Sequence, residues 1–158
     1  MSQIGRLVNL DTPQALAQIE QWAKRQGVTD HGRVTDSEQR STTSTSYVDY
    51  DQLNKAIQCN GGVVDIQVTL RIFATPALQI QCRLLIDSEV KDLGGAIGGT
   101  GGDGQDIRLS FRGKLSNGAR KIQVQYKTSA GTLNINQDGA STNAYGTSSI
   151  SIVEFLGV

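Results

Sequence analysis

Residues 47–158 alternate apolar and polar side chains with a period of two, and this alternation constrains the fold more than any other feature. The clearest runs are 64–72, 78–86, 107–111 and 122–126, with shorter ones at 133–135 and from residue 150. Successive side chains of a β-strand point to opposite faces, so each run predicts a strand with one apolar face. Gly, Asn, Pro or Asp bounds each run, so the strands end in turns.

Strands with one apolar face form antiparallel sheets that bury that face. Two such sheets packed face to face predict an all-β antiparallel sandwich of about eight strands, over residues 42–158. The 18 glycines and the low charged fraction of 19% are typical of a compact β protein with many turns.

The last predicted strand departs from the alternation. Ile150 and Ile152 share one face, whereas Val153 and Phe155 fall on the other. Either a bulge lies near Val153 or the strand is apolar on both faces. In the second case Val153 and Phe155 form an interface with a neighbouring subunit.

Residues 1–28 are predicted to be a helical arm. Thr12 followed by Pro13 is a helix start, and Gly27 ends a helix over about 13–26. A helix this short is marginal in isolation, so its apolar stripe must pack against its own domain, copies of itself or another protein.

Three residues of the stripe are the candidate contacts with another protein: Leu16, Ile19 and Trp22. Residues 29–41 are polar and lack periodicity, which predicts a linker between the arm and the sandwich.

The 15 Lys and Arg residues balance 15 Asp and Glu residues, so the net charge is zero. Zero net charge removes the usual electrostatic case for a nucleic-acid partner or an anionic membrane. The sequence shows no signal peptide and no apolar run of membrane-spanning length, which predicts synthesis in a cytoplasm. A disulfide between Cys59 and Cys82 is therefore not expected.

Catalytic and metal-binding chemistry finds little support. The single histidine, His31, lies in the polar linker without ligand-spaced partners, and we expect it to be solvated. The glycine-rich stretch 94–106 matches a dinucleotide fingerprint only superficially, because a strand follows it, and it is interpreted as a flexible loop. Asp103 and Asp106 in this loop are candidate ligand contacts, although no metal or cofactor is expected.

A glycosidase needs two suitably separated carboxylates, and counting alone does not remove that alternative. The candidates are Asp87, Glu89, Asp103, Asp106 and Glu154. All lie at predicted turns or strand ends, where a solvated carboxylate is the usual state, so we expect no enzymatic activity.

A series of short strings resembles the jelly-roll domains of tailed-bacteriophage virion proteins, which are similar to the tumour-necrosis-factor and complement-head domains. The strings are YVDYDQLNKAI (47–57), GGVVDIQV (61–68), CRLLID (82–87), NGARKIQVQYKTSAGTLNI (117–135) and SSISIVEF (148–155). The resemblance covers about residues 42–156. It implies a jelly-roll sandwich without catalytic activity.

The resemblance also implies a homotrimer in a virion, in contact with the major capsid protein or tail proteins. No collagen-like repeat is present, and no shaft for a long fibre. We therefore expect a capsid decoration, or cement, protein attached through its N-terminal arm. The alternative is a tail or baseplate appendage that binds a host surface glycan through its loops.

The polar faces of the predicted strands are rich in glutamine, whose amide serves a sugar surface, a subunit interface or ordinary solvent contact equally well. The residues are Gln67, Gln79, Gln81, Gln123 and Gln125.

Overall fold

The structure is a computed structural model that describes residue 14 and residues 27–74, 79–97, 104–137 and 146–157. These ranges contain a short 3-10 helix, Asp51–Leu53, and eleven strands. The strands are β1 (Val28–Asp36), β2 (Arg40–Thr42), β3 (Val48–Asp49), β4 (Lys55–Cys59), β5 (Val63–Ala74), β6 (Gln79–Ile86), β7 (Glu89–Ile97), β8 (Gln105–Lys114), β9 (Gly118–Thr128), β10 (Leu133–Ile135) and β11 (Ser148–Phe155).

The strands form two antiparallel sheets. In sheet A, β11 lies between β1 and β5, β10 lies between β5 and β2, and β8 flanks the other side of β5. In sheet B, β6 lies between β7 and β9, and both β3 and β4 pair with β9. Three pairs of successive strands, β1 with β2, β3 with β4 and β10 with β11, each occupy a single position in their sheet. Numbered in chain order, the eight resulting positions follow the order 1-8-3-6 in sheet A and 2-7-4-5 in sheet B.

The core lies between the sheets and consists of the apolar residues that the alternation predicts. Strand β5 contributes five of them: Val64, Ile66, Val68, Leu70 and Ile72. From sheet B come Ile80, Cys82, Leu84, Ile86, Ile122, Val124 and Tyr126. The predicted antiparallel β-sandwich is confirmed.

The predicted linker over 29–41 is wrong, because strand β1 occupies residues 28–36 and β2 begins at Arg40. The reason lies in the inward positions of β1. His31 and Asp36 turn polar groups toward partners far away in the sequence, so the strand carries no apolar alternation. A polar edge strand of this kind has the pattern of a linker.

The predicted helix over 13–26, with Leu16, Ile19 and Trp22, lies outside the described residues apart from Gln14. No helix in the described ranges is long and apolar enough to cross a membrane. Cys59 and Cys82 are both buried and unbonded, and burial raises the pKa of the Cys82 thiol to about 12.

Candidate functional site

Strand β11 keeps its alternation to its end. Its pairing with β5 is continuous from Ser149 to Phe155, and the register shift lies instead on the other side, where β1 has one extra residue, His31, between Asp30 and Gly32. The alternative of a bulge in this strand near Val153 is therefore wrong, and the bulge lies in the partner strand β1. Such a bulge re-aims a side chain, and here it turns His31 inward.

An apolar strip crosses the outer face of sheet A. Val28, Phe155 and Val63 are opposite one another on β1, β11 and β5, and Val153 lies one outward position along β11. Val28 is 60% exposed and the other three are half-buried. We call these four residues the apolar strip. It contains both residues predicted to face a neighbouring subunit.

Glu154 lies between the outward members of the strip and points into the sandwich, where it is fully buried. Its Oε1 accepts hydrogen bonds from the backbone N–H groups of Asn60 (2.8 Å) and Gly62 (2.9 Å). Its Oε2 accepts from Asn60 Nδ2 (3.1 Å) and His31 Nε2 (3.2 Å). Four donors from β1 and the turn before β5 therefore converge on one carboxylate, which ties the edge strand to the sheet.

The electrostatics of this cluster keep Glu154 ionised. Burial by itself raises the pKa of a carboxyl, but the N–H groups of Gly62 and Asn60, together with His31, outweigh it and lower the pKa of Glu154. A carboxylate is an acceptor only, so His31 Nε2 carries the proton in this bond.

The expectation that His31 is solvated is wrong, because its side chain is only 9% exposed and contacts Glu154. The expectation that Glu154 is a solvated carboxylate is also wrong, because its side chain is fully buried. Gly62 makes the contact possible, because a Cβ on Gly62 would lie 2.4 Å from the carbonyl oxygen of Phe155. The sequence did contain a signal that Glu154 is buried, because Glu154 continues the inward series of residues 150 and 152.

A second buried polar cluster lies where β1, β10 and β11 meet. Asn136 Nδ2 donates to the Tyr50 hydroxyl and to the Glu38 carbonyl, both at 2.9 Å, and Asn136 Oδ1 accepts from Ser148 Oγ at 2.6 Å. Tyr50 in turn donates to Asp36 Oδ2 at 2.9 Å. Burial of the phenol is the main reason that the pKa of Tyr50 is raised. The cluster joins segments from both ends of the described sandwich.

The predicted ligand loop is only partly described. Asp103 lies outside the described residues, residues 94–97 belong to β7, and Asp106 lies in β8, where it pairs with Arg71 at 3.1 Å.

The other carboxylates weighed for catalysis are also in separate ion pairs. Asp87 pairs with Arg120 at 2.9 Å and Glu89 pairs with Lys91 at 2.8 Å. In the described part of the chain, no group of three His, Cys, Asp or Glu residues is placed to hold a metal ion.

The outer face of sheet B carries four of the glutamines named in the sequence analysis, Gln79, Gln81, Gln123 and Gln125, and the last three lie next to an aromatic ring and two cations. We call this set the amide face: Tyr47, Asp49, Gln81, Arg83, Gln123, Gln125 and Lys127. Asp49 Oδ1 accepts from Gln125 Nε2 at 2.7 Å and Gln123 Nε2 at 3.3 Å, and Gln125 Oε1 accepts from Arg83 Nε at 2.7 Å. The face is a connected network of polar side chains.

No protein-family model matches the chain, and no curated protein matches it. Matching solved structures include a β-glucosidase from Paenibacillus barengoltzii, at 16% identity and a TM-score of 0.37. That match covers 70% of this chain, which spans 10% of the enzyme's length.

Two further solved structures are similar over most of this chain. The CBM36-1 domain of a multidomain xylanase from the hindgut metagenome of Trinervitermes trinervoides is 13% identical, with 85% of this chain and 94% of that one covered and a TM-score of 0.36. The VP2 subviral particle of infectious bursal disease virus is 12% identical, with 82% and 42% covered and a TM-score of 0.40. At TM-scores this low, none of these likenesses carries an argument about this chain.

Proposed function

We propose that the chain is a non-enzymatic structural protein of a tailed-phage virion. It assembles as a homotrimer and decorates the capsid, to which its N-terminal arm attaches it. Two features support this proposal: the strings that resemble phage jelly-roll domains, and the strand order 1-8-3-6 and 2-7-4-5, which is that of an eight-position jelly roll.

The apolar strip is the observation that carries the trimer. Val28, Val63, Val153 and Phe155 lie on the solvent side of a sheet whose remaining outward residues on the same strands are mainly polar, such as Asp65, Gln67 and Ser151. A contiguous apolar patch rimmed by polar side chains marks an interaction surface. Phe155 lies at the centre of the strip, and phenylalanine is among the aromatic residues that are enriched in the cores of protein interfaces.

Phe155→Asp is expected to convert the trimer to a folded monomer. A buried charge in place of an aromatic anchor weakens an interface by more than about 2 kcal/mol. Light scattering of the full chain will then give one times, rather than three times, the chain mass of 16.9 kDa.

Leu93→Asp is the matched control, because Leu93 is 66% exposed on the outer face of sheet B, away from the strip. It will keep the trimer mass, and circular dichroism will show that both variants remain β-folded. A trimer that survives Phe155→Asp, or that is lost equally in both variants, contradicts the assignment of the interface to the strip.

The arm supplies the attachment in this proposal. Three arms held by one trimer bind the particle with an effective concentration that a single arm lacks. Leu16, Ile19 and Trp22 are the proposed contacts with the major capsid protein, and the protein is made in the host cytoplasm.

Trp22→Ala is expected to leave the trimer folded while it fails to join particles. Loss of a large aromatic side chain from a contact weakens the binding free energy of each arm by about 3 kcal/mol. Because three arms of one trimer bind together, the loss applies to all three. Particles purified by density gradient will show the wild-type protein and lack the variant. Incorporation of the variant at wild-type levels would contradict attachment of the protein through its N-terminal arm.

A further inference from the structure

We propose that the amide face binds a carboxylate-bearing oligosaccharide, and that Arg83 receives the carboxylate. The proposal concerns sheet B and is independent of the trimer and of its strip on sheet A.

Arg83 is held in one orientation before any ligand arrives. Its Nε donates to Gln125 Oε1 at 2.7 Å, and Gln125 is itself fixed by Asp49 at 2.7 Å. The carbon of the guanidinium lies 3.9 Å from the centroid of the Tyr47 ring. Stacking on the ring and the bond from Nε fix the guanidinium, while its two terminal amino groups stay available to donate to a carboxylate. Because the side chain is already ordered, little conformational entropy is lost when the ligand binds.

The charge on this face is unbalanced. Lys127 Nζ lies 4.7 Å from the same Tyr47 ring, so two cations flank one ring. Among the described residues, neither Arg83 nor Lys127 has a carboxylate oxygen within 4.0 Å, whereas Arg40, Arg71 and Arg120 each have at least one. The nearby carboxylate of Asp49 accepts from two glutamine amides instead. The face is therefore complementary to an anion.

The neutral groups favour a sugar as the carrier of that anion. Gln81 is exposed, and the Tyr47 hydroxyl donates to its Oε1 at 3.4 Å, which leaves its amide N–H groups to donate to hydroxyls. Opposite Gln81 on β7 is Gly95, which has no side chain, and opposite Arg83 is the exposed Leu93. An open sheet face with amides, a ring and an apolar residue fits an extended chain of sugars.

The test is calorimetric titration of the full chain with alginate oligomers, which carry one carboxylate on each sugar, at low ionic strength. Arg83→Gln is expected to weaken binding by about tenfold or more, the loss of one charge-assisted contact. Arg108→Gln is the matched control, because Arg108 is an exposed arginine on the outer face of sheet A, and it will bind within about twofold of wild type. Tyr47→Ala, which frees the guanidinium from the ring, will also weaken binding.

Each of these binding measurements can overturn the proposal. No binding of alginate by the wild type, or equal binding by the wild type and Arg83→Gln, overturns the site. Dextran bound as tightly as alginate overturns the role of the carboxylate. Poly-L-glutamate bound as tightly as alginate overturns the sugar and indicates an acidic peptide.

Discussion

Replacing Glu154 with Ala is expected to lower the free energy of unfolding by about 3–5 kcal/mol, the cost of breaking a buried charged cluster by removal of one partner. The carboxylate is fully buried and accepts from Asn60, Gly62 and His31, so the variant leaves four donors without an acceptor. Urea unfolding followed by circular dichroism measures the change.

The control is Glu89→Gln, which removes an ion pair with Lys91 from an exposed position and is expected to change stability by about 0.5 kcal/mol or less. A loss of under about 1 kcal/mol in Glu154→Ala would show that the cluster contributes little net stability.

The carboxylate of Glu154 also makes the free energy of unfolding depend on pH. The pKa of Glu154 is lower in the folded than in the unfolded chain, where it is about 4.3. Its contribution is therefore fully present above that value and is lost as the pH falls through the folded pKa. Glu154→Gln removes this contribution, so its stability falls less steeply in acid than that of the wild type. The pKa values of Asp36 and Asp87 are also lowered, so part of the dependence of stability on pH remains in both proteins.

Asn136→Ala is expected to lower the free energy of unfolding by about 3 kcal/mol. Asn136 is fully buried, and three side-chain hydrogen bonds join it to Glu38, Tyr50 and Ser148. Its φ of 60° also lies in the left-handed region, which Asn tolerates better than Ala.

Two further variants separate the causes of that loss. Asn136→Gly removes the side chain but tolerates the positive φ, so it will be about 1 kcal/mol more stable than Asn136→Ala. Asn117→Ala, at an exposed asparagine with one long bond of 3.5 Å to Gln58, will change stability by about 0.5 kcal/mol or less. If Asn136→Ala unfolds at the same urea concentration as wild type, the buried cluster has no part in stability.

The sandwich was predictable because its strands bury alternate residues. Runs such as 64–72 and 122–126 carry the period on their own, without knowledge of their partners. Strand β1 was not predictable in this way. Its inward residues His31 and Asp36 form hydrogen bonds with Glu154 and Tyr50, which lie more than ten residues away, and no local pattern encodes those two pairings.

The outward surfaces were predictable only in part. The sequence placed Val153 and Phe155 together on the face opposite Ile150, as the structure has them. It did not predict Val28 or Val63, since their position beside Phe155 follows from the pairing of three strands. Likewise the glutamines were visible as an outward series, but the stacking of Arg83 on Tyr47 depends on the registers of both β3 and β6 against β9.

The proposed homotrimer is tested by the mass of the full chain in solution, measured by light scattering. We predict three times 16.9 kDa at micromolar concentration for the wild-type homotrimer, with a return to the single-chain mass in Phe155→Asp. A wild-type protein that scatters as a monomer at every concentration, and remains one when it is added to particles, would contradict it.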